Sequence, residues 1–268
     1  MKGRAKAGLE RVRDLLLGFK LKTAASELGP RLLEASGEEA VAVVGEVLEM
    51  EARERNDRRV ERLRKASHLP AGKRFDSFDA KRLPRGLSQK LTELGEGKWV
   101  EEATNVLMFG LPGVGKSHAA CGLGHALVER GYAVRFTPTF RLVQELLAAK
   151  RELELPRALR RLDLFDLLIL DDIGYVQQAP EEAEVLFTLM AERYERRSML
   201  LTSNLVFSEW ERIFRNPMTT AAAIDRLVHH SVILEFNLPS YRTEGARKNL
   251  RSTPEHPEMR PAAPAPAN

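Results

Sequence analysis

Two hydrophobic periods divide the chain. Across residues 9–68, apolar side chains recur at helical spacing: Leu9, Val12, Leu15, Leu16 and Phe19, then Val41, Val44, Val47 and Leu48, then Val60 and Leu63. This spacing predicts a helical N-terminal region, with Gly29-Pro30 and Ser36-Gly37 expected to punctuate it. From Asn105 the pattern changes. Short, dense apolar runs (NVLMFG, AVRFTP, DLLILDD, MLLTSN and SVILEF) alternate with helical stretches near 116–130, 140–150, 181–196 and 221–230. Strands that are apolar on both faces and separated by helices predict right-handed crossovers and a mostly parallel sheet covered on both sides. Between the two patterns, LPAGKRFDSFDAKRLPRGLS interrupts the helical period with Pro and Gly. The expected organisation is therefore a helical domain over 1–70, a linker over 71–104, an α/β domain over 105–250 and a disordered Pro/Ala-rich tail over 251–268.

Composition narrows the class without choosing a function. The 268 residues are 43% hydrophobic, ordinary for a globular protein, and 30% charged, slightly high. A single cysteine, Cys121, excludes a disulfide framework and a cysteine-based zinc site, and it is expected to pack as a small apolar residue. No apolar run is long enough to span a bilayer, and MKGRAKAGLERVRD lacks the apolar core of a secretory signal, so a cytoplasmic protein without a membrane partner is expected. The net charge is only +4, but it is unevenly distributed. Arg53, Arg55, Arg58, Arg59, Arg62, Arg64 and Lys65 stand among only Glu54, Asp57 and Glu61. Such a run is either a solvated helix face laced with ion pairs or a stripe facing phosphates.

The chemistry begins at GLPGVGKS. Gly110, Gly115, Lys116 and Ser117 satisfy the G-x-x-x-x-G-K-[ST] spacing, between a predicted strand and a predicted helix. The glycines let successive backbone N–H groups turn toward phosphate, and the helix N-terminus adds positive partial charge. The expected nucleotide cradle comprises Gly110, Leu111, Pro112, Gly113, Val114, Gly115, Lys116, Ser117 and His118. Lys116 reaches the β- and γ-phosphates, and Ser117 offers a hydroxyl to Mg²⁺. DLLILDD places Asp171 and Asp172 at the carboxyl end of a buried strand, where ligands bind in open α/β sheets. Asp171 is the expected Mg²⁺ partner and Asp172 the group that polarises the attacking water. MLLTSN ends on Asn204, a candidate for the γ-phosphate or that water. His229 and His230 are adjacent on a predicted helix with nothing nearby in sequence to complete a metal site, so they are expected to be structural or surface residues. Trp99 and Trp210 are expected to pack in the core.

These segments resemble the Walker A, Walker B and sensor 1 elements of AAA+ ATPases. More narrowly, the chain is similar to the IstB-like transposition helper ATPases, relatives of DnaC-type helicase loaders. ARERNDRRVERLRKA, FDSFD, NVLMFGLPGVGKSHAACGLGHAL, DLLILDDIG and AAIDRLVHHSVILEFNLPSYR carry the resemblance. It implies a three-layer core with a parallel five-stranded sheet in the order 5-1-4-3-2 and no separate C-terminal lid domain. It implies an arginine finger at Arg226, completing a neighbouring subunit's site, and a sensor 2 at Arg242. It places Phe75 and Phe78 on the adenine side. Residues 145–162 resemble the extra helical element of initiator-type ATPases, where Lys150, Arg151, Arg157, Arg160 and Arg161 join Arg55, Arg58, Arg59 and Arg62 as candidate DNA contacts. The implied function is an ATPase with ATP and Mg²⁺ that assembles with itself on duplex DNA, bends it and stimulates an integrase-type transposase. A helicase loader and a nucleotide-bound DNA scaffold with little turnover are the alternatives.

Overall fold

The computed structural model describes residues 2–78, 82–175, 179–214 and 216–241. Helix α1, Lys2–Gly18, is followed after Phe19–Leu21 by helix α2, Lys22–Ala66, which bends at Gly37 so that its first part packs antiparallel to α1 and its second part runs alongside α1 in the same direction. Val12, Leu16, Ala25 and Val41 are the buried centre of this unit. Contrary to the sequence expectation, Gly29-Pro30 does not break the helix. Pro30 lies inside α2, and a Cβ on Gly29 would approach the Leu9 side chain to 2.9 Å. The glycine lets α1 close in, and this packing outweighs the hydrogen bond that Pro30 removes. Gly37, at φ 76°, does interrupt the helical backbone, as its neighbourhood predicted.

The far end of α2 joins the second core. Val60 is buried there, and the Phe136 N–H donates to the Ser67 carbonyl at 2.7 Å. Next come α3, Arg85–Leu94, and α4, Lys98–Glu101. Leu87, Leu91, Leu94, Trp99 and Val100 from the 71–104 segment bury against Val106, Met108 and Leu127.

Five strands follow: β1 Asn105–Phe109, β2 Val134–Pro138, β3 Leu167–Asp171, β4 Ser198–Ser203 and β5 Ser231–Glu235. All pairings are parallel, in the order β2-β3-β4-β1-β5, which is the expected 5-1-4-3-2 arrangement read from the other edge. Every residue of β1 and β4 is buried, as their continuous apolar runs require when both faces are covered. Helix α5, Lys116–Glu129, covers one face. The other face carries α6 (Thr139–Arg151), α7 (Leu155–Leu162), α8 (Pro180–Arg193), α9 (Glu211–Phe214) and α10 (Pro217–Val228). Trp99 and Trp210 are both core residues, with indole N–H groups satisfied by the Leu94 and Leu205 carbonyls. Cys121 is fully buried, and burial pushes its thiol up to about 12, so it stays neutral.

Arg193 is a fully buried cation that stitches three elements together. Its guanidinium donates to the carbonyls of Leu162, Phe165 and Ser198, at 2.9–3.1 Å. Burial lowers it to about 10, partly offset by Asp163, so it remains charged at neutral pH. Among the described residues no helix is long and apolar enough to cross a membrane.

Candidate functional site

β1 delivers the chain into GLPGVGKS at the carboxyl edge of the sheet. Gly110, Gly113 and Gly115 take φ of 150°, 82° and 102°, and a Cβ on Gly110 would lie 2.6 Å from the Phe236 carbonyl oxygen. Only glycine fits this turn. No side chain caps the N-terminus of α5, so its amide donors are left for a ligand. Lys116 is 8% exposed, and its ammonium donates to the Gly110 and Leu111 carbonyls at 2.6 and 2.9 Å. These contacts hold the cation over the cradle from which phosphate would draw it.

A cavity of about 360 Å³ opens beside the loop, lined by Gly113, Gly115, Lys116, Ser117 and His118 from the expected cradle. Leu111 and Pro112 are exposed and Val114 is buried, so these three contribute backbone rather than lining side chains. The opposite wall was only partly foreseen. Phe78, expected on the adenine side, lines the cavity, whereas Phe75 instead packs over Gly122 and lines a neighbouring hollow of about 300 Å³. Lys73, Ser77 and Tyr241 also line the cavity and were not singled out from sequence. His118 secures that wall. Its Nε2 lies 3.1 Å from Ser77 Oγ and 2.9 Å from the Arg74 carbonyl, and its ring sits 5.0 Å from that of Phe78. The Tyr241 N–H donates to the Gly113 carbonyl, and the Arg82 guanidinium stacks over the Tyr241 ring at 3.9 Å. Arg242, next in the chain, lies outside the described residues.

The sheet register brings Asp171, Asp172 and Asn204 to the same carboxyl edge, outside the lining of that cavity. Thr202 organises the acidic pair. Its hydroxyl donates to Asp171 Oδ1 at 2.6 Å and accepts the Asp172 N–H at 2.8 Å. Thr139 adds a bond to the Asp171 carbonyl. Asp172 adopts φ +61°, a strained conformation for a non-glycine residue that these contacts sustain. The orientation of Asp171 is thus set by β4, and sequence patterning on β3 could not reveal it. Ser117 and Asp171 supply hard oxygen donors of the kind that suits Mg²⁺. Replacing Thr202 with valine should leave the Asp172 N–H unpaired and Asp171 free to rotate. A loss of about 1–3 kcal/mol in stability is expected, together with an increased Mg²⁺ requirement for ATP turnover. Serine should restore both, and an unchanged Mg²⁺ dependence in the valine variant would contradict the role.

Asn204 Oδ1 is buried without a hydrogen-bond partner among the described residues. Such a group has either an unfilled role or a ligand to meet. A Cβ on Gly174 would lie 2.2 Å from this oxygen. Gly174→Ala should therefore displace the flexible amide rather than unfold the domain. ATP turnover should fall at least tenfold with little change in melting temperature; a variant with normal turnover would argue against a part for Asn204.

Arg226 lies elsewhere. Helix α10 carries it toward the amino edge of the sheet, where the Asn105 N–H at the start of β1 donates to the His230 carbonyl. The guanidinium rests 4.8 Å from the centre of the Phe187 ring and donates to the Ala222 carbonyl. It does not line the cavity at its own chain's loop.

Four of the nine candidate DNA contacts are held in ion pairs. Arg55 pairs with Glu51 and lies over Phe19, Arg58 pairs with Glu54, Lys150 with Glu184 and Arg157 with Glu154. Arg59 donates to the Gly131 carbonyl at 3.0 Å. Arg62, Arg151, Arg160 and Arg161 are exposed.

His229 and His230 are exposed, as expected of surface residues, and the fold brings a third group to them. Glu195 Oε1 lies 3.6 Å from His229 Nδ1 and 3.6 Å from His230 Nε2. The helix ends at Val228, so His230 leaves the helical path and the two rings meet edge to face at 4.3 Å.

A parallel sheet in this order, a phosphate loop after β1 and an acidic pair after β3 define a P-loop domain of the AAA+ type. The chain belongs to the IstB-like ATP binding protein family, whose profile matches residues 18–249. It is 44% identical over 228 residues to an insertion sequence ATP-binding protein of Sinorhizobium fredii, covering 84% of this chain and 76% of that protein. It is 40% identical over 202 residues to the IS21 ATP-binding protein of Pseudomonas aeruginosa, covering 75% and 76% of the two chains. Among solved structures, the DnaC helicase loader superposes with a TM-score of 0.52 at 18% identity, covering 62% of this chain and 97% of that one. The replication initiator DnaA bound to AMPPCP and single-stranded DNA reaches 0.54 at 17% identity, covering 69% and 56%. At these identities the structural likeness speaks to the fold.

Proposed function

We propose that this chain is a cytoplasmic, ATP-hydrolysing regulator of transposition. It assembles with itself on duplex DNA, bends the target and stimulates an integrase-type transposase, and hydrolysis resets the assembly. Membership in a family whose relatives are named for insertion sequences supports the transposition context. The observation that most favours self-assembly is the position of Arg226, near the sheet edge opposite its own phosphate loop. An arginine there serves a neighbour's nucleotide better than its own.

In this reading Lys116 and the amides at the start of α5 hold the β- and γ-phosphates. Ser117 and Asp171 hold Mg²⁺, which when bound neutralises phosphate charge. Asp172 orients and polarises the attacking water, and Asn204 turns its buried amide toward that water or the γ-phosphate. Arg226 stabilises charge on the transferring group of the adjacent subunit, whereas Arg242 touches the γ-phosphate held by its own chain. The exposed Arg62, Arg151, Arg160 and Arg161 favour DNA phosphates over internal partners, and the paired arginines would exchange their carboxylates for phosphate. Contacts of this kind give sequence-tolerant, salt-sensitive binding.

Imaging the protein with ATP, Mg²⁺ and duplex DNA tests the proposal. Rings or spirals on DNA are expected, with DNA-stimulated phosphate release. Monomers under every condition would overturn it, and copurification with a replicative helicase would favour a loader instead.

A further inference from the structure

We propose that Glu195, His229 and His230 form a binding site for a divalent transition metal, with Zn²⁺ as the best match. Among the described residues this is the cluster in which three metal-ligating side chains converge, their candidate ligand atoms all within 4.8 Å of one another. It lies at the amino edge of the sheet, on the other side of the domain from the phosphate loop, and the nucleotide chemistry does not use it.

The ligand set selects the ion. Two imidazole nitrogens and one carboxylate oxygen suit Zn²⁺ and its neighbours, whereas Mg²⁺ and Ca²⁺ require oxygen-rich shells. The spacing also fits. Tetrahedral Zn²⁺ with bonds near 2.0–2.1 Å places its ligand atoms about 3.3 Å apart. Glu195 Oε1 is 3.6 Å from each imidazole nitrogen, and all three ligand atoms lie within 4.8 Å of one another, so exposed side chains need to rotate inward to close the shell. Three protein ligands leave a fourth position for water or for the Tyr194 hydroxyl, which lies 2.9 Å from His229 Nδ1.

The backbone carrying these ligands is fixed from several directions. Glu195 stands at φ +54° in a tight turn whose Arg196 and Arg197 N–H groups both donate to the Arg193 carbonyl at 3.0 Å. Arg193 itself is fully buried and bonded to three elements. On the other side, Asn105 clamps the end of α10. Its side-chain amide donates to the Leu227 carbonyl, and its backbone N–H donates to the His230 carbonyl. Ser231 Oγ donates to the Val228 carbonyl. His229 follows Arg226 by three residues, so an ion here would also stiffen the end of the helix that carries that arginine.

The test uses the untagged, full-length protein without nucleotide, because phosphates chelate Zn²⁺. Calorimetric titration should show one Zn²⁺ per chain. Affinity should fall at least tenfold in His230→Asn and in Glu195→Gln, and stay within twofold in Lys116→Ala. Co²⁺ in place of Zn²⁺ should give the visible absorption of a four-coordinate site, absent in Glu195→Gln. All three ligands are exposed, so circular dichroism should report an unchanged fold in each variant, and Glu195→Gln carries the test should a histidine variant fail to fold. No stoichiometric binding, or equal binding by wild type and Glu195→Gln, would overturn the assignment.

Discussion

Lys116→Ala should weaken ATP binding by about a hundredfold while leaving the fold intact. The ammonium is 8% exposed and compensated in the free chain by the Gly110 and Leu111 carbonyls. With a triphosphate in the cradle, those contacts give way to charge-assisted bonds to phosphate, each worth about 1.5–3 kcal/mol. Losing about 2.7 kcal/mol corresponds to a hundredfold change in affinity. Truncation also removes a cation that is costly to bury, so the apo-protein should melt at or slightly above the wild-type temperature. Calorimetric titration with ATP, paired with thermal melting, separates the two effects. An affinity within threefold of wild type would sink the assignment of the loop. Asp172→Asn offers the contrast: nucleotide should still bind and the assembled form should persist, because only turnover is lost.

Arg226→Ala should reduce ATP turnover about a thousandfold, within the range attributed to arginine fingers. Binding of nucleotide by the isolated chain should stay within twofold, since Arg226 is absent from the lining of its own cavity. In the free chain the guanidinium lies against Phe187 at 4.8 Å. Such a contact is worth about 0.5–1 kcal/mol at a partly exposed site. That is small beside the contribution expected at a phosphoryl group, so assembly can draw the arginine away. Mixing supplies the decisive measurement. Arg226→Ala keeps an intact site and Asp172→Asn keeps an intact arginine, so together they should recover part of the turnover that neither has alone. No recovery on mixing, with assembly demonstrated, would show that the arginine does not act between subunits.

The candidate site was unevenly legible in the sequence. GLPGVGKS and LLILDD were readable because their chemistry is contiguous: a strand, a glycine turn and a helix start, or a buried strand ending in acids. Thr202 was not. It lies one residue from the end of β4 and acts on a carboxylate 31 positions earlier. Tyr241 was likewise hidden, since a tyrosine after the last strand gives no sign of hydrogen-bonding to Gly113. The company of the adjacent histidines was hidden too, because Glu195 is distant from them in sequence and only the fold brings it to 3.6 Å from each.

By itself the sequence determined the apolar face of the N-terminal helices, the five strands with the buried central three, their parallel pairing and the phosphate loop. Each of these follows from local spacing, and both-face burial leaves a parallel sheet as the way to satisfy it. Only the tertiary structure decided that α2 runs through Pro30 and that the 71–104 segment packs into the second core. It also decided that Thr202 sets Asp171, that Asn204 keeps an unpaired buried oxygen and that Glu195 meets two histidines. Periodicity reports which face of an element is buried, but not which distant side chain that face will meet. These contacts depend on crossover connections that bring together residues far apart in the chain.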